Sequence, residues 1–139
     1  EKDFAAINRV IQCLKSEFII EKMLLKSEES HTRVTNKIHE ALLDLSYIEQ
    51  IGETMVATAV IDLIMKHNQA AVSNPKGLLA QLALLYKMVN SFFVDPTAKS
   101  EQPLSVDTIV FAAVPPCAHP KDDVRNAATK ILLDVQKAT

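Results

Sequence analysis

A dodecapeptide in the first third of the chain returns near its end. Residues 34–45 read VTNKIHEALLDL and residues 124–135 read VRNAATKILLDV, so Val, Asn and Leu-Leu-Asp recur in register 90 residues apart. Both copies place apolar residues three and four apart, the spacing of one face of an α-helix. Such a face is too wide for one helix to bury alone, so a chain built this way must stack helix on helix. Half the offset is a period of about 45, within the range of helix-pair repeats of the HEAT and armadillo kind. The middle copy, near 79–90, keeps the apolar face and loses the motif.

The rest of the chain reads the same way. Phe4, Ile7, Ile11 and Leu14 form one stripe, with a break expected near Ser16. A second helix then carries Phe18, Ile19, Met23 and Leu24 inward. A third begins near Thr32, with Val34, Ile38, Ala41, Leu42 and Leu45 inward. The fourth covers about 52–66, with Met55, Val56, Ala59, Val60, Leu63 and Ile64 inward, and residues 67–74 read as a loop. Asn74-Pro75 is a start signal, an Asn cap before a proline in the first turn. The fifth helix carries Leu78, Leu79, Leu82, Leu85, Tyr86 and Val89 to about Val94. Residues 95–103 are polar with two prolines and read as a loop. The sixth helix covers about 104–114, with Ile109, Val110 and Ala113 inward, until Pro115-Pro116 stops it. The seventh starts at Lys121 or Asp122, with Val124, Ala127, Ala128, Ile131, Leu132 and Val135 inward. No segment sustains strand alternation. The expectation is an all-α fold, an α-solenoid of about seven helices. Residues 1–139 read as a single domain, a piece of a longer protein because the chain opens without Met inside a helix.

Several chemistries lack their residues. The two glycines, Gly52 and Gly77, stand alone, so no phosphate loop forms. Cys13 and Cys117 match neither a metal spacing nor a disulfide framework, which fits a reduced, cytoplasmic protein. His31, His39, His67 and His119 are scattered. Cys117 beside His119 matches no nucleophile motif. The reading is a protein that is not an enzyme, with no metal and no cofactor. A net charge of -2 gives no general attraction to nucleic acid, and the seven aromatics fall on apolar stripes, as core rather than stacking platforms. No apolar run approaches the roughly 20 residues of a membrane span.

Pairing the second helix with the third, the fourth with the fifth and the sixth with the seventh puts three turns on one edge: residues 27–31, 67–77 and 115–123. Lys26, Arg33, Lys76, Lys121 and Arg125 lie on or beside them. Each has an ordinary reading as a solvated cation or a helix-end partner. Together they suit an acidic protein partner, for which charge supplies steering and orientation.

The stretch HPKDDVRNAATKILLDV, residues 119–135, resembles the last intra-repeat turn and second helix of a TOG domain, the HEAT-repeat array that binds tubulin. SHTRVTNKIHEALLDLS, residues 30–46, looks like an earlier copy. The chain is most like the TOG array of a microtubule-regulating protein of centrosomes and cilia. The resemblance implies a flat α-solenoid that holds αβ-tubulin or microtubules through its intra-repeat turns, in the cytoplasm at the cytoskeleton, centrosome or centriole, and cilium. By position, Lys121 and Arg125 match the basic residues of one turn, Lys76 the preceding turn, and Lys26 and Arg33 the one before. Asn74 and Asn126 would add hydrogen bonds, while Arg125 would hold the turn or reach the partner. The chain departs from the pattern in spanning three to four repeats of about six and in having no Trp for the first turn. Two other readings stand beside this one: a HEAT or armadillo scaffold docking a peptide or helix in its concave groove, and a spacer or homodimerising module.

Overall fold

The computed structural model describes residues 2–48, 51–71, 74–92 and 105–138, with side chains for all of these except 2, 3, 10–14 and 138. The described residues form six α-helices: α1 Lys2–Glu29, α2 Thr32–Ser46, α3 Gly52–Gln69, α4 Pro75–Ser91, α5 Val106–Ala113 and α6 Asp122–Ala138. A single 3-10 turn, Pro115–Ala118, sits between the last two, and the described residues contain no strand. The chain is all-α, as the periodicity requires.

The local chemistry explains most boundaries. The Asn74 side chain accepts the Gly77 N–H at 3.1 Å and caps α4, whose first helical residue is Pro75. Ser105 caps α5 by accepting the Thr108 N–H at 3.2 Å. Asp122 and Asp123 occupy the first turn of α6, where carboxylates complement exposed N–H groups. Gly52 turns the chain from α2 into α3 at a φ of 75°, a left-handed conformation that side-chain-bearing residues resist.

Hydrogen bonds set the helix directions. Glu28 and His67 join the C-terminal ends of α1 and α3, and Asn68 Nδ2 donates to Ala112 O at the ends of α3 and α5. Lys76 reaches the Glu29 carbonyl, so α4 begins where α1 finishes. Asn90 donates to Asp134 between the C-terminal parts of α4 and α6. The odd-numbered helices therefore touch in order, α1–α3–α5, and the even-numbered ones likewise, α2–α4–α6, with opposite chain direction. The core between them includes Leu24, Leu42, Ile64, Leu82, Leu85, Met88, Ile109 and Ile131, all essentially without solvent exposure. Truncating one such leucine to alanine costs on the order of 2–5 kcal/mol.

Five expectations need correction. No break occurs near Ser16, because α1 is continuous; one interior serine costs only tenths of a kcal/mol, and neither Pro nor Gly occurs between Lys2 and Glu29. The first three stripes do not face wholly inward: Phe4 and Ile7 of the first, Phe18 and Ile19 of the second and Val34 of the third are exposed. At 100° per residue, Phe4, Ile7 and Phe18 lie roughly opposite Ile20 and Leu24, the buried side of α1. Residues 67–69 are helical, since α3 runs on to Gln69. Pro115-Pro116 ends α5 but starts the 3-10 turn, in which Pro116 is buried. Most described aromatics are not core either: Phe4, Phe18, Tyr47 and Phe111 are exposed, and only Tyr86 and Phe92 pack partly against the core. The loop expected at 95–103, and the side chains of Ile11, Cys13, Leu14, Phe93 and Val94, lie outside the described residues.

Candidate partner-binding edge

The edge is built around a carboxylate. Glu28, in the last turn of α1, is 3.0 Å from His67 Nε2 on α3 and accepts from Gln81 Nε2 on α4 at 2.8 Å. The Glu28 and His67 side chains are only 9% and 13% exposed. Gln81 also donates to the Leu24 carbonyl at 3.2 Å, while its own Oε1 is buried without a partner. Three helix ends are thus tied by a buried polar cluster, whose members are strongly placed because leaving one unpaired is costly. Gly77 completes it by being small. A Cβ there would lie 2.6 Å from Glu28 Oε1, 2.7 Å from Asn74 Nδ2 and 3.0 Å from His67 Cε1.

The turns have hydrogen bonds of their own. Thr35 on α2 donates to the Ser27 carbonyl at 2.9 Å and closes the α1–α2 turn. A cleft lined by His67, Asn68, Asn74, Leu78, Pro116 and His119 sets the α3–α4 turn against the α5–α6 connection. Arg125 closes that connection. Its Nη1 donates to the His119 and Pro120 carbonyls at 2.8 and 2.9 Å, and its Nη2 meets Asp122.

The seven sequence-predicted residues divide accordingly. Lys26, Arg33, Lys76 and Lys121 are exposed, and none of the ion pairs among the described residues involves them. Lys76 makes one long contact, 3.4 Å, to the Glu29 carbonyl. Asn74 and Arg125 hold the backbone, one as a cap and one across the turn. Asn126 is exposed but lies one turn inside α6, lining the α4–α6 cleft instead of the turns.

Sequence reasoning missed the polar cluster and a second one. Gln81 sits on the buried face of α4 among leucines, and nothing in its spacing marks it. On α2, His39 is fully buried, and its Nδ1 is 3.0 Å from Lys87 Nζ on α4. Burial, and secondarily the Lys87 charge, push the His39 pKa down to about 4. The described residues contain no group of three or more potential metal ligands, and none of their helices is long and apolar enough to cross a membrane. Cys117 is half-buried, its thiol 3.5 Å from the Ala113 carbonyl. Comparison with protein-family models, curated proteins and solved structures returned no match.

Proposed function

We propose that the chain is a non-catalytic binding module, a HEAT-type α-solenoid of the TOG kind, that holds αβ-tubulin on its turn edge. The observation that supports this reading is the edge's composition. Of four exposed cations, Lys26, Arg33 and Lys76 stand beside turns tied together by the Glu28–His67–Gln81 cluster and Lys121 beside the connection that Arg125 closes, and none carries an ion-pair partner among the described residues. A rigid support with unpaired charge at its rim suits a partner that is acidic and large. The parallel order of odd and even helices is what a helix-pair array requires. The resemblance of residues 119–135 and 30–46 to TOG repeats supplies the name of the partner and the setting, a microtubule-regulating protein of the centrosome and cilium.

In this reading Lys26, Arg33, Lys76 and Lys121 face acidic tubulin surface. Asn74 and Arg125 shape the turns from which Lys76 and Lys121 project. Size-exclusion co-elution with purified αβ-tubulin, at low and at moderate salt, tests it. Lys76→Glu with Lys121→Glu is expected to weaken binding by about tenfold or more, with helicity by circular dichroism unchanged, and wild-type binding is expected to fall with salt. Unchanged co-elution of the double variant would sink the proposal.

A further inference from the structure

The face made by the even-numbered helices carries a second, unrelated constellation. α4 lies between α2 and α6, with a cleft on each side. The α2–α4 cleft, 190 Å³, is lined by Asn36, His39, Lys76, Leu79 and Ala83 among others. The α4–α6 cleft, 400 Å³, is lined by Leu79, Ala83, Tyr86, Lys87, Asn126 and Lys130 among others. The shared Leu79 and Ala83 make the two clefts one surface, draped over the ridge of α4. Asn36 and Asn126 hold the same place in the repeated dodecapeptide, so the repeat sets one amide on each helix flanking α4.

Lys87 stands between them. Its ammonium is 3.0 Å from His39 Nδ1 and 3.4 Å from Asn36 Oδ1. An ammonium only donates, so Nδ1 is the accepting nitrogen and the ring proton sits on Nε2. That Nε2 is buried with no partner. Both acceptors of Lys87 are thus neutral, and no carboxylate lies within ion-pair distance of it among the described residues. Glu40, the acid whose charge acts on it, lies 3.9 Å from Lys37. Desolvation pulls the Lys87 pKa below its ordinary value, the sign of a cation whose surroundings undercompensate it. Around it the charge is one-sided: Lys76, Lys87 and Lys130 line the clefts against Asp123 alone among acids.

We propose that Lys87, between Asn36 and Asn126, is a receptor for a side-chain carboxylate of an acidic peptide segment laid across α4. A carboxylate accepts several hydrogen bonds at once. The third ammonium hydrogen and the two asparagine amide groups supply donors of the matching kind. Leu79, Ala83 and Tyr86 give the peptide chain an apolar floor, and Lys76 and Lys130 give it further cations to either side. A peptide fits better than a lone small anion because the surface runs across two clefts and three lysines. The site shares Lys76 with the turn edge, but its centre, Lys87 with Asn36 and Asn126, lies off that edge and does not depend on tubulin binding there.

The test is a titration of the isotope-labelled chain, followed by NMR, with a blocked nonapeptide of alternating Glu and Ser. Its Gln-for-Glu counterpart and inorganic phosphate serve as parallel ligands. The glutamate peptide is expected to shift amides around residues 36, 87 and 126, and the glutamine peptide is not. Lys87→Met is expected to raise Kd about tenfold while leaving the melting temperature unchanged or higher, because it removes a half-buried, poorly compensated charge. Asn126→Asp, at an exposed position that leaves packing alone, is expected to weaken binding similarly. Lys26→Glu with Lys121→Glu, on the turn edge, is expected to change Kd by less than about twofold. Absence of binding, equal binding of the glutamine peptide, binding of phosphate alone, shifts confined to the turn edge, or wild-type affinity in both Lys87→Met and Asn126→Asp would each overturn the assignment.

Discussion

His67 on α3 and His39 on α2 meet opposite neighbours. His67 faces the Glu28 carboxylate at 3.0 Å, with Gln81 on the same oxygen. His39 faces the Lys87 ammonium at 3.0 Å, with its other nitrogen unpartnered. The first arrangement is a staple. Donor groups converge on one acceptor and three helix ends are held in place. The second holds a cation out toward a cleft without neutralising it. The same residue type, buried in both places, therefore serves stability on the turn edge and presentation on the even-helix face.

Breaking the staple should give the largest effect. Glu28→Ala leaves His67 and Gln81 without their shared acceptor in a nearly dry site. The expected loss is about 3 kcal/mol in urea unfolding. A loss under about 1 kcal/mol would mean that water replaces the carboxylate and that the cluster does not hold the edge.

The His39 side of the comparison shows itself through pH. The unfolded histidine takes up a proton near its ordinary 6.5, the folded one only near about 4. Between those values the unfolded state binds more protons, so stability falls as pH drops through this window. The groups facing His39 are Lys87 and, through it, Glu40. Between pH 7.5 and 5 the expected loss from this group is about 2 kcal/mol. In His39→Leu the urea midpoint should be flatter over the same range, by that amount. An unchanged slope would place the pH dependence elsewhere.

The smallest effect sharpens the division within the edge. Asn74→Ala removes the α4 cap and should cost about 1 kcal/mol. It should leave tubulin affinity within about twofold, whereas Lys76→Glu, two residues on, should do the reverse. Binding measured alongside thermal melts separates a turn-holding residue from a contacting one.

Much of this could be read from the chain before folding. Asn74-Pro75, Asp122-Asp123 and the Leu-Leu-Asp echo are local signals. Caps, first-turn carboxylates and periodicity act within one or two helical turns, so the structure places α2, α4 and α6 where they predict. The turn cations were legible for the same reason, being charges beside predicted helix ends. The fate of α1 was not. Phe4, Ile7 and Phe18 make a respectable stripe, yet they are exposed, because periodicity identifies an apolar face and says nothing about whether a neighbour covers it. Gln81 and His39 escaped notice because a polar residue on a buried face is explained only by the atom that meets it from another helix.

The sequence by itself determined that the chain is helical, where most helices begin, and that they must stack to bury their faces. These follow from interactions reaching three or four residues along the chain. The tertiary structure alone decided that Glu28, His67 and Gln81 converge, that Arg125 turns inward while Lys121 stays out, and that Lys87 comes to rest between two repeat-related asparagines. Each depends on groups 39 to 57 residues apart in the chain or on which way a side chain turns at a bend. Packing settles such matters, and local propensity does not.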